Sequence, residues 1–146
     1  MKVFLAGATG ALGKQLVPQL VSAGHEVTGM TRSRDKADLV RSLGARPVVA
    51  DALDPDAVGR AISEAAPDAV VHELTAIPQQ LDIRRLGRAF ALTNRLRTEG
   101  TDNLLSGSTS ATAGIEAVSS IVNPDKLERL GPVADVRALL RGSSGT

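Results

Sequence analysis

Lys2-Val3-Phe4-Leu5-Ala6 followed by Gly7-Ala8-Thr9-Gly10-Ala11-Leu12-Gly13 is the stretch on which the fold turns. Residues 2–6 form a short apolar run stopped by a glycine, which suits a strand buried on both faces. Beyond it Leu12, Leu16, Val17, Leu20 and Val21 repeat at helical spacing, and Gly24 supplies a C-terminal cap. Pro18 lies inside this helix and removes one backbone bond, so a slight kink is expected there. Three glycines thus leave a strand and open a helix, the context that a dinucleotide-binding loop requires. Gly7 lets the chain turn sharply, Gly10 has no side chain to hold a pyrophosphate off the backbone amides, and Gly13 lets the helix pack close to the sheet. The helix start then offers free N–H groups and a partial positive charge to the phosphates.

The pattern continues outward from this loop. Glu26–Thr31 reads as a second strand, and Ser33 is placed to cap a helix running to Leu43 before Gly44. Arg46–Ala50 is a third strand. Asp54-Pro55 combines a capping side chain with a first-turn proline, opening a helix that ends near Ala66. Ala69–Leu74 is a fourth strand. Such alternation predicts an α/β fold: a Rossmann-type doubly wound parallel sheet in a single three-layer α/β/α domain. Further on, Thr75–Gly87 reads as a loop, Arg88–Leu105 as a helix weakened at Gly100, and Ser106–Gly114 as a low-complexity flexible connection. Ile115–Ser119 would be a fifth strand, Asn123-Pro124 and Pro132 would each start a short helix, and residues 142–146 are expected to be disordered. The expected organisation is a dinucleotide-binding domain over 1–122, with 123–146 as short helices and a tail.

Preference among dinucleotides is read at the end of the second strand. An NAD binder places Asp or Glu there to hold the ribose hydroxyls. Here the run is Thr31-Arg32-Ser33-Arg34, with no carboxylate until Asp35. Guanidinium groups match a 2′-phosphate, so NADP(H) is favoured over NAD(H). Asp51 and Ala52, after the third strand, would lie beside the adenine, although Asp51 reads equally well as a turn residue.

Composition removes several alternatives. The 146 residues carry 17 basic and 16 acidic side chains in mixed order, so nucleic acid and anionic membrane are poor partners. The absence of cysteine removes disulfides and thiolate chemistry. No apolar run reaches a membrane span, and the first strand starts too near Met1 for a signal peptide, so a cytoplasmic location is expected. The chain contains two Phe but neither Trp nor Tyr, so it has no phenol to donate a proton. His25 and His72 stand in unrelated places, and no metal site is expected. His72 beside Glu73 suggests an acid–base pair, but neighbouring strand residues point to opposite faces, which favours a structural role for His72. The run Arg84-Arg85-Leu86-Gly87-Arg88 reads as exposed loop. A homo-oligomer stays open.

With the loop, Asp51-Ala52 and Val70-Val71-His72-Glu73-Leu74-Thr75-Ala76 in view, the chain resembles the NAD-dependent epimerase/dehydratase family of extended or atypical short-chain dehydrogenase/reductases. Glu99-Gly100-Thr101-Asp102-Asn103-Leu104-Leu105 is similar to that family's GT-x-NLL segment. The resemblance covers residues 1 to about 105. It implies that Leu74, Thr75 and Ala76 line the nicotinamide-ribose side of the cofactor, and that Ser119 or Ser120 stands where the family has its fifth-strand serine. The family's Tyr-x-x-x-Lys pair is absent, since Val122 occupies the place four residues before Lys126. The expected function is a dinucleotide-binding part of an oxidoreductase with weak or no catalysis of its own. The alternative is a non-catalytic redox sensor or partner-binding module.

Overall fold

The computed structural model describes residues 1–74, 86–111 and 117–120. Five strands, β1 (Lys2–Ala6), β2 (Glu26–Thr31), β3 (Arg46–Val49), β4 (Ala69–His72) and β5 (Ala117–Ser120), form one sheet in the order β3-β2-β1-β4-β5. Every pairing is parallel. Chain order runs outward from β1 through β2 to β3, then crosses back to place β4 on the other side of β1. The strand order therefore reverses between β1 and β4, and a crevice opens there at the carboxyl ends of the strands.

The helices α1 (Gly13–Ser22), α2 (Ala37–Ser42), α3 (Pro55–Ala65) and α4 (Leu86–Ala111) cover both faces. The alternation in β1 explains the three layers. Val3 and Leu5 join Val17 and Leu20 of α1 and Val40 of α2 in one core. Phe4 and Ala6 join Val58, Ala61 and Ile62 of α3 with Leu96 and Leu104 of α4 in the other. A strand buried on both sides needs apolar residues at every position, as residues 3–6 supply.

The capping expectations separate in an informative way. Asp54 caps α3 as its position suggests: its carboxylate accepts from the amides of Asp56 and Ala57, both at 3.1 Å. Ser33 does not cap a helix. It precedes a short 3-10 turn at Arg34–Lys36 and its hydroxyl makes no capping bond, while its own amide donates to Thr31 Oγ1. With no cap to start it at Ser33, the α-helix begins only at Ala37. Pro18 sits within α1 without ending it.

The main correction concerns residues 106–111. They were expected to begin a flexible connection, yet α4 continues through Ala111. Low helix propensity is overridden by packing against α3. Gly107 is buried beside Gly59 and Ile62, and the hydroxyls of Ser108 and Thr109 bond back to the carbonyls of Leu104 and Leu105. The helix also starts at Leu86, inside the expected loop. β5 lies two residues further along at its start than the expected strand, at Ala117–Ser120. The rest of the loop, the expected C-terminal helices, the tail and the boundary at residue 122 lie outside the described residues.

The α3–α4 contact yields a paired expectation. A Cβ at Gly107 would lie 3.0 Å from Ile62 Cδ1 and 3.4 Å from Gly59 Cα, whereas a Cβ at Gly59 meets nothing within 4 Å. Gly107→Leu should destabilise the fold by about 1–3 kcal/mol through overpacking. Gly59→Ala should stabilise it by up to about 1 kcal/mol by removing a helix-interior glycine. Urea unfolding of the two variants beside the parent distinguishes these signs.

Candidate functional site

The candidate site is built where β1, α1 and the end of β4 meet. Gly7 adopts φ +93°, and a Cβ there would collide with the Glu73 carbonyl and lie 2.7 Å from its carbon. Only glycine accepts both the left-handed backbone and the contact. A Cβ at Gly13 would likewise strike the Gly7 carbonyl and lie 2.8 Å from Ala8 Cα. The loop is also held from the β2 side: the amides of Gly7 and Ala8 share the Met30 carbonyl at 3.3 and 3.2 Å. Gly10 N–H donates to Gly7 O at 3.0 Å, closing the turn.

This geometry leaves donors free. α1 has no side-chain cap and no acidic residue in its first turn. Among the described residues no acceptor meets the amides of Ala11, Leu12 and Gly13. Orphan amides at a helix start, with no Cβ at Gly10, form a cradle that fits a phosphate group. Ala11 and Leu12 are exposed, whereas Ala8 is buried in the core.

Next to the loop, Thr9 Oγ1 and Thr31 Oγ1 approach to 3.5 Å, so two hydroxyls bridge the loop to the end of β2. Arg32 follows immediately and Arg34 opens the 3-10 turn. Both are exposed and carry no ion pair among the described residues. Asp51 is exposed, and its carboxylate accepts from Leu53 N at 3.0 Å, the bond of a turn residue. The Ala52 side chain belongs to the core against Leu96 and Leu104. Its carbonyl accepts from Asn103 Nδ2 at 2.9 Å, a tie between α4 and the end of β3 that sequence reading missed. Leu74 packs half-buried on that same core. Thr75 and Ala76 lie outside the described residues. Ser119 and Ser120 pair in register with Val71 and His72, which brings β5 beside β4 at the same sheet end.

His72 and Glu73 part company as strand alternation requires. His72 is buried toward α4: the Leu74 amide donates to Nδ1 and Nε2 meets the Leu96 carbonyl, each at 3.2 Å. An acceptor at Nδ1 fixes a neutral ring with its proton on Nε2, and burial holds its pKa below the ordinary value. Both ring nitrogens are thus engaged. Glu73 is 6% exposed, and its Oε1 has no hydrogen-bond partner among the described residues. Burial alone pushes its pKa up to about 7. Among the described residues no group of three or more acidic or histidine side chains is placed to hold a metal ion. No described helix is long and apolar enough to cross a membrane.

The cradle, the strand order and the position of the loop define a dinucleotide-binding domain. The chain belongs to the NAD(P)H-binding family, which it matches over residues 7–133. It is 45% identical over 113 residues to 3-diazoavenalumate denitrifying reductase from a Streptomyces species, a match covering 77% of this chain and 35% of that protein. Its fold is shared with the yeast methylglyoxal/isovaleraldehyde reductase Gre2 complexed with NADPH, at TM-score 0.66 and 22% identity over 82% of this chain and 36% of that one. A UDP-glucose-4-epimerase from Stenotrophomonas maltophila with bound NAD is similar at TM-score 0.64 and 20% identity, with coverage again 82% and 36%. The chain thus spans about a third of the length of these relatives. The sequence resemblance to epimerases and short-chain reductases is met by a shared fold over 36% of those chains.

Glu73 gives this site a pH signature. Its folded pKa of about 7 lies above the ordinary 4.5, so the protonated carboxyl's contribution to stability is complete below about 4.5 and is lost as pH rises through 7. Glu73→Gln keeps the shape and removes the charge. The variant should be more stable than the parent by about 1–3 kcal/mol above pH 8 and indistinguishable near pH 4. Thermal melts across that range measure the difference.

Proposed function

We propose that this chain binds NADP(H) in preference to NAD(H), with Gly7–Gly13 holding the diphosphate, and serves as the cofactor-binding part of an oxidoreductase. The observation that carries the reading is the set of unpaired amides at Ala11, Leu12 and Gly13 above a glycine with no Cβ in the way. Arg32 and Arg34, exposed and without an ion pair among the described residues, follow β2 at the end where the Thr9 and Thr31 hydroxyls approach, a donor set suited to a 2′-phosphate. No carboxylate precedes Asp35 to take the ribose hydroxyls instead. Ser33 completes that edge. Asp51 and Ala52 are assigned to the adenine side and Leu74 to the nicotinamide-ribose side, with Thr75 and Ala76 assigned there by the sequence resemblance alone. A bound nicotinamide supplies hydride transfer, and the protein's part is to orient it and exclude water.

A second reading has its own observation. The chain contains no tyrosine, and Ser119 and Ser120 have hydroxyls far too weakly acidic to replace one alone. That favours a non-catalytic NADP(H)-binding module over an autonomous enzyme. The cysteine-free composition suits a cytoplasmic setting, and the mixed charge does not favour nucleic acid.

Two calorimetric titrations test the binding. Gly10→Val should weaken NADPH binding at least about tenfold, near 1.4 kcal/mol, with the fold retained. The parent should bind NADPH more tightly than NADH, and Arg32→Glu should reverse that order through repulsion of the 2′-phosphate. Unchanged affinity at Gly10→Val removes the loop from the site. Equal affinities in the parent remove the arginines. Turnover is tested apart, with NADPH and a panel of aldehydes, ketones and nucleotide sugars. The non-catalytic reading predicts none above about 1 per second, the low end for ordinary enzymes.

A further inference from the structure

Glu73 stands out among the buried groups: its main chain sits directly against the phosphate loop, and its carboxyl Oε1 has no hydrogen-bond partner among the described residues. The Glu73 main chain forms the wall on which Gly7 rests, and its carbonyl is within 3.9 Å of the Cβ position at Gly10 as well. Its amide extends the sheet by donating to Ala6 O at 2.8 Å. Alternation along β4 places Val70 and His72 on the α4 side, and Val71 with Glu73 on the α1 side. The core on that side of the sheet is apolar. β1 presents Val3 and Leu5, and α1 presents Gly13, Leu16 and Val17. The loop from Gly7 to Gly13 contains no titratable residue. The first cation of α1, Lys14, is exposed, and the neighbouring His72 ring is turned away and engaged at both nitrogens. β5 contributes no ionisable side chain. Among the described residues no charged group therefore offsets the burial of this carboxyl.

We propose that Glu73 is a proton-binding site linked to dinucleotide binding: the chain takes up a proton at this carboxyl when the phosphate loop is filled. An ionised Glu73 and an anionic diphosphate would share one poorly screened corner of the fold, so occupancy of the loop favours the neutral acid. Reciprocity then requires affinity to be highest where Glu73 is already protonated and to decline as pH rises through its free value near 7. The proton comes from solvent, and no bond other than O–H is made. This inference rests on the diphosphate lying at Gly7–Gly13.

The test is calorimetry of the full chain with NADH from about pH 6 to pH 8.5, in buffers of differing ionisation enthalpy. NADH is the probe because the 2′-phosphate of NADPH is itself a monoester that titrates near pH 6. The parent should lose affinity about tenfold across the range, the equivalent of a one-unit rise in pKa on binding, and should take up protons near pH 7.5. Glu73→Gln should bind with the parent's low-pH affinity throughout and take up none. Its melting curve confirms the fold. Binding whose pH dependence is absent, or is the same in Glu73→Gln, overturns the linkage. Binding of neither NADH nor NADPH at any pH overturns the site assignment beneath it.

Discussion

Everything in this structure depends on a place where main chain packs on main chain. The turn after β1 is pressed between the carbonyl of Glu73 on one side and the start of α1 on the other, at distances that leave no room for a Cβ at Gly7 or Gly13. Such contact fixes the first turn of α1 relative to the sheet more tightly than side-chain packing can, because backbone cannot repack. The amides of Ala11, Leu12 and Gly13, which meet no acceptor among the described residues, lie at this turn, next to β1 and β4, between which the strand order reverses. The two cores then hold the arrangement from above and below. Phe4 and Ala6 anchor β1 to α3 and α4, and Val3 and Leu5 anchor it to α1 and α2.

The same constraint explains why the site is lopsided. On the β2 side, the loop is joined by hydrogen bonds to Met30 and by the Thr9–Thr31 approach, and free arginines follow. On the β4 side, the wall is built from Glu73, whose backbone supports the loop while its side chain is buried with Oε1 unbonded among the described residues. A neutral residue would serve the packing equally well. A carboxylate there lowers stability at neutral pH and above, and the chain tolerates that beside the glycine loop.

Much of this was legible in the sequence because it follows from short-range chemistry. The apolar run at residues 2–6, the glycine spacing and the Asp54-Pro55 start are local signals, and each is met in the structure. What escaped reading was set by tertiary contact. Ser106–Ala111 is poor in helix formers, yet it is helical because Gly107 fits against Gly59 and the hydroxyls of Ser108 and Thr109 satisfy carbonyls within their own helix. Ser33 looks like a cap, but its amide is committed to Thr31 and a 3-10 turn intervenes. Alternation alone separated His72 from Glu73. It could not tell that one ring is fully bonded and the adjacent carboxyl is wholly unbonded on Oε1.

Membership of the NAD(P)H-binding family sets the class of ligand, and the loop geometry gives the place to look for it. The most direct measurement is an amide-resolved NMR titration of the uniformly 15N-labelled chain with NADPH. The account predicts that Ala11, Leu12 and Gly13 shift most, with Arg32 and Ser33 next, and that Gly59 and Gly107 on the far helices stay still. Saturable shifts elsewhere with the loop amides unmoved would contradict it.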